Sequence, residues 1–208
     1  MPEQGVSAAE PSAVPAASAA SPWQGSPIRL YHGSDAAIER PVIEFSKGFA
    51  DLGRGFYLTD DLAAAQTRAR MRARAIGADT GVVSAFEFDE SAVPWITLGA
   101  DAPCGDPSNT EGFPSELFGL RFAENADGFA AWMEYIRSCR SGYSALAGAG
   151  EPAVVRAWMA TDEVEMVCSG FVSPEGLADL IDPAELVVQY YFRSQNLIDR
   201  HLRNAALL

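Results

Sequence analysis

An α+β domain is the fold class this sequence predicts, and three observations predict it. Strand-like segments recur along the chain from residue 28 onward. Single helical segments and long loops separate them, the pattern of a sheet with helices added rather than of an all-helical or all-strand domain. No internal repeat is present, so a solenoid or propeller is not expected.

The elements follow in order. Residues 1–27 hold seven Ala, five Pro and five Ser and no basic residue. So few large apolar side chains cannot offset the entropy of ordering a chain. This segment is expected to be a disordered leader, serving as an unstructured secretion signal or as a plain tail. "IRLYH" (28–32) alternates as a strand does, with a turn expected straight after Gly33. "GRGFYLT" (53–59) reads as a second strand. "TDDLAAAQTRARMRARAIG" reads as a helix capped by Thr59 or an Asp and ended by Gly77. "VVSAFEF" (82–88) is a strand. Residues 99–115, rich in Gly, Pro, Asp, Ser and Asn, are expected to loop. "FAAWMEYIRSC" is an amphipathic helix and "AVVRAWMA" a strand. "SPEGLADLI" is a short helix with Ser173 as cap and Pro174 in its first turn. "ELVVQYYFRS" is the last strand, and "QNLIDRHLRNAAL" a terminal helix. The domain is expected to span 28–208.

Composition narrows the function. Of 208 residues, 48% are hydrophobic and 21% charged, which marks a chain able to bury a core. No apolar run reaches the roughly 20 residues that span a bilayer, and no signal peptide of the usual secretory type is visible. Cys104, Cys139 and Cys168 form no CxxC pair, so free thiols and no metal are expected. The net charge of −13 disfavours nucleic acid, which is gripped by neutralising phosphates, and suits a basic protein partner. Lys47 is the one lysine beside fourteen arginines. A GC-rich coding sequence accounts for that bias. So does action inside a foreign cytosol, where few lysines offer few ubiquitination sites.

Three residues carry the chemistry that the sequence suggests. His32, between Tyr31 and the pair Gly33 and Ser34, could exchange hydrogen bonds with a sugar hydroxyl, or be satisfied at a strand end. Gly33 would leave room for a ligand at the backbone. Tyr57 follows Gly53 and Gly55. Phe56 and Tyr57 point to opposite faces of a strand, and the ring beside the glycines could stack on a flat cationic heterocycle, or simply pack. Gln189 among Leu186, Val187 and Val188 needs a partner if buried, and water satisfies it if it sits on an edge strand. Arg68, Arg70, Arg72 and Arg74 lie on neighbouring stripes of one helix, for phosphate or acidic contact or as a solvated face. The long 99–127 stretch suggests a substrate-facing loop or a surface excursion.

The order of these motifs resembles the ADP-ribosyltransferase superfamily. The likeness is to the His-Tyr-Glu branch, which includes diphtheria-type toxins and poly(ADP-ribose) polymerases. It is nearer to a bacterial domain family with "YHGS", "DFGKGFYLT", an Ala-rich helix, "W-x-x-Y-I-x-x-x-R", a "GPVADD" strand end, "G-x-I-S-x-E" and "Q-x-x-F-x-T". The matching residues are Tyr31 to Ser34, Asp51 to Thr59, Trp132 to Arg140, Thr161 and Asp162, Gly170 to Glu175, and Gln189 to Ser194. The likeness covers residues 28 to 205. It implies a split β-sheet core with flanking helices and NAD as substrate. His32 would bind ribose and Tyr57 would stack on nicotinamide. Gly33 or Ser34 would hold the carboxamide, Arg54 beside Gly55 a diphosphate, and Gln189 would stand at the third catalytic position. Glutamine there departs from the branch's glutamate: it binds a hydroxyl but cannot ionise. Glu185, Asp162, Glu163 or Glu165 could supply a carboxylate instead.

The resemblance implies mono-ADP-ribosylation of a protein by a monomeric bacterial effector or toxin, secreted and acting in a host cytosol, or kept in the bacterial cytoplasm. Host ubiquitin, at threonine, is one candidate acceptor. An NAD glycohydrolase and an inactive module that binds ADP-ribose or a protein are the alternatives.

Overall fold

The computed structural model describes residues 26–45, 52–99, 117–141, 151–160, 164, 166–167, 169–173, 176–177 and 181–207. The leader up to residue 25, the 100–116 loop, most of the 173–181 helix, Cys104 and Cys168, and Asp162, Glu163 and Glu165 lie outside the described residues. Cys139 is a free thiol. Among the described residues no helix is long and apolar enough to cross a membrane.

The protein has mixed α+β content built on one eight-stranded mixed sheet. The strands are β1 (Ile28–Ser34), β2 (Phe56–Thr59), β3 (Val82–Phe88), β4 (Trp95–Leu98), β5 (Gly119–Phe122), β6 (Val154–Trp158), β7 (Val188–Phe192) and β8 (Leu202–Leu207). Their spatial order is β4-β5-β6-β7-β2-β1-β3-β8. The β4–β5 and β5–β6 pairs are parallel and the others antiparallel. Among the described residues, the α-helices described along their whole length are α1 (Leu62–Ala75), α2 (Ala126–Arg140) and α3 (Gln195–His201).

Local chemistry starts and stops these elements where the sequence signals it. Asp61 caps α1, its carboxylate accepting from the amides of Ala63 at 2.7 Å and Ala64 at 3.1 Å. Gly77, at φ 73°, ends the helix in the left-handed region. Asn125 caps α2 by accepting from the Gly128 amide at 2.8 Å.

The pleat sorts side chains to two cores. On one face, Phe129, Trp132, Met133 and Ile136 of α2 cover Leu120, Val155, Ala157 and Tyr191. On the other, Leu30, Phe56, Leu58, Phe86, Phe88 and Phe192 pack with Leu197 and Ile198 of α3. Each such buried side chain stabilises the fold by about 1.5–3 kcal/mol. α1 lies on the first face over β1 and β3, through Ala65, Ala69 and Val83.

Several sequence expectations are corrected. β1 does not turn after Gly33 but runs on to Ser34, because all seven of its residues, Ile28 to Ser34, pair with β3. The terminal helix stops at His201, and the chain continues as β8, whose polar and small residues close the ladder on β3. β4 and β5 were not anticipated. Gly119–Phe122, inside the 99–127 stretch, is a central strand between β4 and β6 rather than a surface excursion.

Candidate functional site

The sheet is weakest at its middle. β1 meets β2 at a single residue pair, Tyr31 with Thr59. Beyond that pair, β1 continues against β3 alone and β2 against β7 alone. The strands therefore part just where the sequence concentrates its candidates. His32, Gly33 and Ser34 lie on one bank, with Arg54, Gly55 and Tyr57 on the other.

His32 bridges the two banks. Its Nδ1 donates to the Tyr57 carbonyl oxygen at 2.8 Å, a bond that takes over where the backbone ladder stops. Because a carbonyl only accepts, Nδ1 holds the proton and Nε2 is the acceptor. The imidazole stacks on Phe56, with ring centroids 4.7 Å apart. Burial pushes its pKa below the ordinary value, with the positive charges of Arg68 and Arg72 acting the same way; the Tyr57 carbonyl and Asp35 oppose them. The neutral, Nδ1-protonated ring is thus the favoured form, and no described residue bonds Nε2.

Tyr57 contributes its backbone here, not its phenol. The ring turns to the opposite face of β2 and lies against Tyr191, centroids 4.8 Å apart, while its hydroxyl donates to the Gly53 carbonyl at 2.8 Å. A cleft lined by the two rings side by side does not hold in that form: imidazole and phenol sit on the two faces of one strand.

The glycines serve packing. A Cβ on Gly33 would stand 1.9 Å from the Ala65 carbonyl oxygen, so the glycine seats α1 rather than opening a path for a ligand. A Cβ on Gly55 would stand 2.1 Å from the Tyr191 ring. Gly53, at φ 92°, supplies the left-handed turn before β2. Tyr191 was missed in the sequence, yet it organises this turn, since its hydroxyl also donates to the Arg54 carbonyl at 2.9 Å. The signal was its alternation with Gln189, which puts both on one face of β7. Arg54 is exposed, and its guanidinium donates to the Glu44 carbonyl. Ser34 Oγ donates to Asp35 at 3.1 Å.

Gln189 is 4% exposed on a central strand, between Thr59 of β2 and Ala157 of β6, so it is not an edge residue. Its Nε2 donates to the Trp158 carbonyl at 3.1 Å. Neighbouring Thr59 donates to the Val188 carbonyl at 2.7 Å. Glu185 is exposed, in a short turn before β7. A cavity of about 510 Å³ opens beside Trp158 and Val188, bounded by Glu124, Asn125 and Asp182, and neither Gln189 nor His32 lines it.

A polar group on the second face of the sheet also escaped sequence reading. Arg156 donates to the Tyr190 hydroxyl at 3.1 Å and to Glu124 at 3.2 Å. Burial raises the Asp60 pKa, against the pull of Arg156.

Comparison with known proteins places these observations against a domain and not a named activity. No curated protein and no solved structure matches the chain. Residues 28–99, which carry β1 to β4 with His32, Arg54 and Tyr57 but not Gln189, match a family described as a protein of unknown function (DUF3990).

Proposed function

We propose that this protein transfers ADP-ribose from NAD to a protein side chain and releases nicotinamide. In this reading the sheet is a split core of ADP-ribosyltransferase type, and the dinucleotide enters where β1 and β2 part. The observation that carries the reading is His32: a neutral imidazole, oriented through Nδ1 by the opposite strand, with Nε2 left to accept from a ribose hydroxyl. The ordered resemblance of the motifs supports it.

The chemistry asks little of acids. The bond between ribose C1′ and the nicotinamide nitrogen breaks with its electron pair going to nitrogen, so a neutral molecule leaves. The sugar passes through an oxocarbenium-like state, and the acceptor's lone pair closes the new bond as its proton departs to solvent or a carboxylate. Orientation and electrostatic support supply the catalysis. His32 fixes the ribose, and Gln189 offers its side-chain carbonyl to a hydroxyl. The reading requires that nicotinamide, seated in the gap, reach the Tyr57 phenol across the edge of β2. We propose further that the acceptor lies in a host cell, with a small protein such as ubiquitin as a candidate.

A second reading has its own observation. Gln189 cannot ionise, and its amide is already committed to Trp158, which favours a module that binds ADP-ribose without transferring it. Incubation of the full chain with biotinylated NAD and a eukaryotic lysate separates these. Labelled protein that disappears with His32→Ala supports transfer. Free ADP-ribose without labelled protein identifies a glycohydrolase. NAD binding without turnover identifies the binding module, and absence of NAD binding overturns the proposal.

A further inference from the structure

β6 ends and β7 begins at a paired position, Trp158 with Val188, and the cavity of about 510 Å³ opens beside that pair. Its volume falls within the range of about 300–1,000 Å³ that ligand sites occupy. Trp158, Leu186 and Val188 give it an apolar floor. The Trp158 indole is backed by Trp132 and Phe129 of α2, with ring centroids 5.5 Å and 5.8 Å away, so that wall is fixed by the core behind it.

Two carboxylates from distant parts of the chain bound this hollow, and neither is used up. Glu124, before the α2 cap, accepts from Arg156 at 3.2 Å through one oxygen, and its side chain is 72% exposed. Asp182 accepts from the Ala184 amide at 2.9 Å through one oxygen. Among the described residues the second oxygen of each has no partner. Asp127, in the first turn of α2, and Glu185, between the lining residues Ala184 and Leu186, add negative charge beside the rim. Against these stand the Arg156 guanidinium and the positive end of α2, which amounts to about half a charge. The balance is negative, in a chain of net charge −13. A nucleotide diphosphate is repelled by such a rim, and a basic group is drawn to it. An arginine suits both parts of the cavity. Its stem packs on apolar surface while its planar fork meets carboxylates bidentately.

We infer that this cavity docks an arginine side chain from a basic segment of the partner protein, its stem on Trp158, Leu186 and Val188 and its guanidinium bound by Glu124 and Asp182. The docking needs no NAD chemistry; it rests on the transfer reading above only in taking that partner to be the acceptor.

The test is an NMR titration of the full chain, read at the Trp158 indole Nε1 resonance, which W158F identifies by its loss. The probes are three capped tripeptides whose central residue, between glycines, is arginine, its uncharged isostere citrulline, or glutamate. The arginine peptide is expected to shift the resonance to saturation, and the citrulline peptide to bind at least about 10-fold more weakly. D182N and E124Q should each weaken the arginine peptide by about 3- to 10-fold. Asparagine keeps the cap on Ala184 and glutamine keeps an oxygen for Arg156, so both variants retain the fold. E87Q, on β3 and separated from β7 by β2 and β1, should stay within about twofold of wild type. Equal binding of arginine and citrulline, preference for glutamate, no shift with any peptide, or unchanged affinity in D182N and E124Q each overturns the docking. NAD that displaces the arginine peptide overturns it too and leaves the NAD reading standing, because the cavity then belongs to the dinucleotide site. An arginine peptide that binds as expected to a chain that binds no NAD upholds the docking and overturns the transfer reading.

Discussion

Gly33→Ala tests whether that glycine seats a helix or admits a ligand. The added Cβ would stand 1.9 Å from the Ala65 carbonyl oxygen, 2.7 Å from the Ala69 nitrogen and 2.9 Å from the Ala65 carbonyl carbon. All three are backbone atoms, so no side chain can rotate away. A carbon needs roughly 3.3 Å or more from an oxygen, so α1 must lift from β1 by more than an ångström or β1 must bend. Lifting α1 loosens Ala65, Ala69 and Tyr31 in the small core beneath it. Overpacking costs about 1–3 kcal/mol where side chains can adjust, and a rigid backbone obstacle puts this change at the upper end. Removing a glycine from the unfolded chain returns only about 0.4–1 kcal/mol. The net expectation is a loss of about 2 kcal/mol or more, which lowers the melting midpoint by about 4–8 °C for a chain of this size. Urea titration and a thermal melt of the full chain measure it. A variant that melts within about 1 °C of wild type and has lost ligand binding would refute the packing argument and restore the view that Gly33 faces a ligand.

Three further outcomes are expected. His32 has a pKa held below its ordinary 6.5 by burial, so the unfolded chain takes up its proton first as pH falls. Its contribution to stability is full above about pH 6.5 and is lost as pH drops from there through the folded value. Urea midpoints measured between pH 8 and 5 should fall less in His32→Gln than in wild type, and equal slopes would show that His32 does not titrate as described. Gln189→Glu replaces the donor to the Trp158 carbonyl with a buried carboxylate; it should cost about 2–5 kcal/mol at pH 7 and less at pH 5, where the acid protonates. If Gln189→Glu is as stable at pH 7 as wild type, the pocket around this side chain is open to water. Tyr191→Phe removes the hydroxyl bond to Arg54 but keeps the ring against Gly55 and Tyr57, so a loss of about 0.5–1.5 kcal/mol is expected, read by chemical denaturation. A loss several times larger would mean that the turn has a role beyond that one bond.

What could be read along the chain was local. The strand-forming run Val82–Phe88 and the cap and stop of α1 are settled by neighbours a few residues away, and they fall in the structure where the sequence reading put them. Gln189 on a strand was equally legible, since its apolar neighbours announce a strand. Its place at the centre of the sheet was not, because strand order is set by pairings across more than a hundred residues. β8 shows the limit from the other side. "LRNAAL" has helix-compatible residues, and nothing nearby in the chain tells it that an edge of β3 stands open. β4 and β5 are four residues each, too short for periodicity to identify.

The candidate site divides the same way. The sequence by itself determined which side chains could do chemistry: one histidine beside glycines, an aromatic after a glycine turn, a glutamine in an apolar strand and a helix with four arginines. Only the tertiary structure decided what each one faces. It turned Gly33 to a helix and the Tyr57 phenol to Tyr191, and set the imidazole across the gap between β1 and β2. The reason is physical. Residue type fixes what bonds a group can make, whereas which atoms come within a few ångströms depends on strand register and helix seating, and those are settled by parts of the chain far removed in sequence.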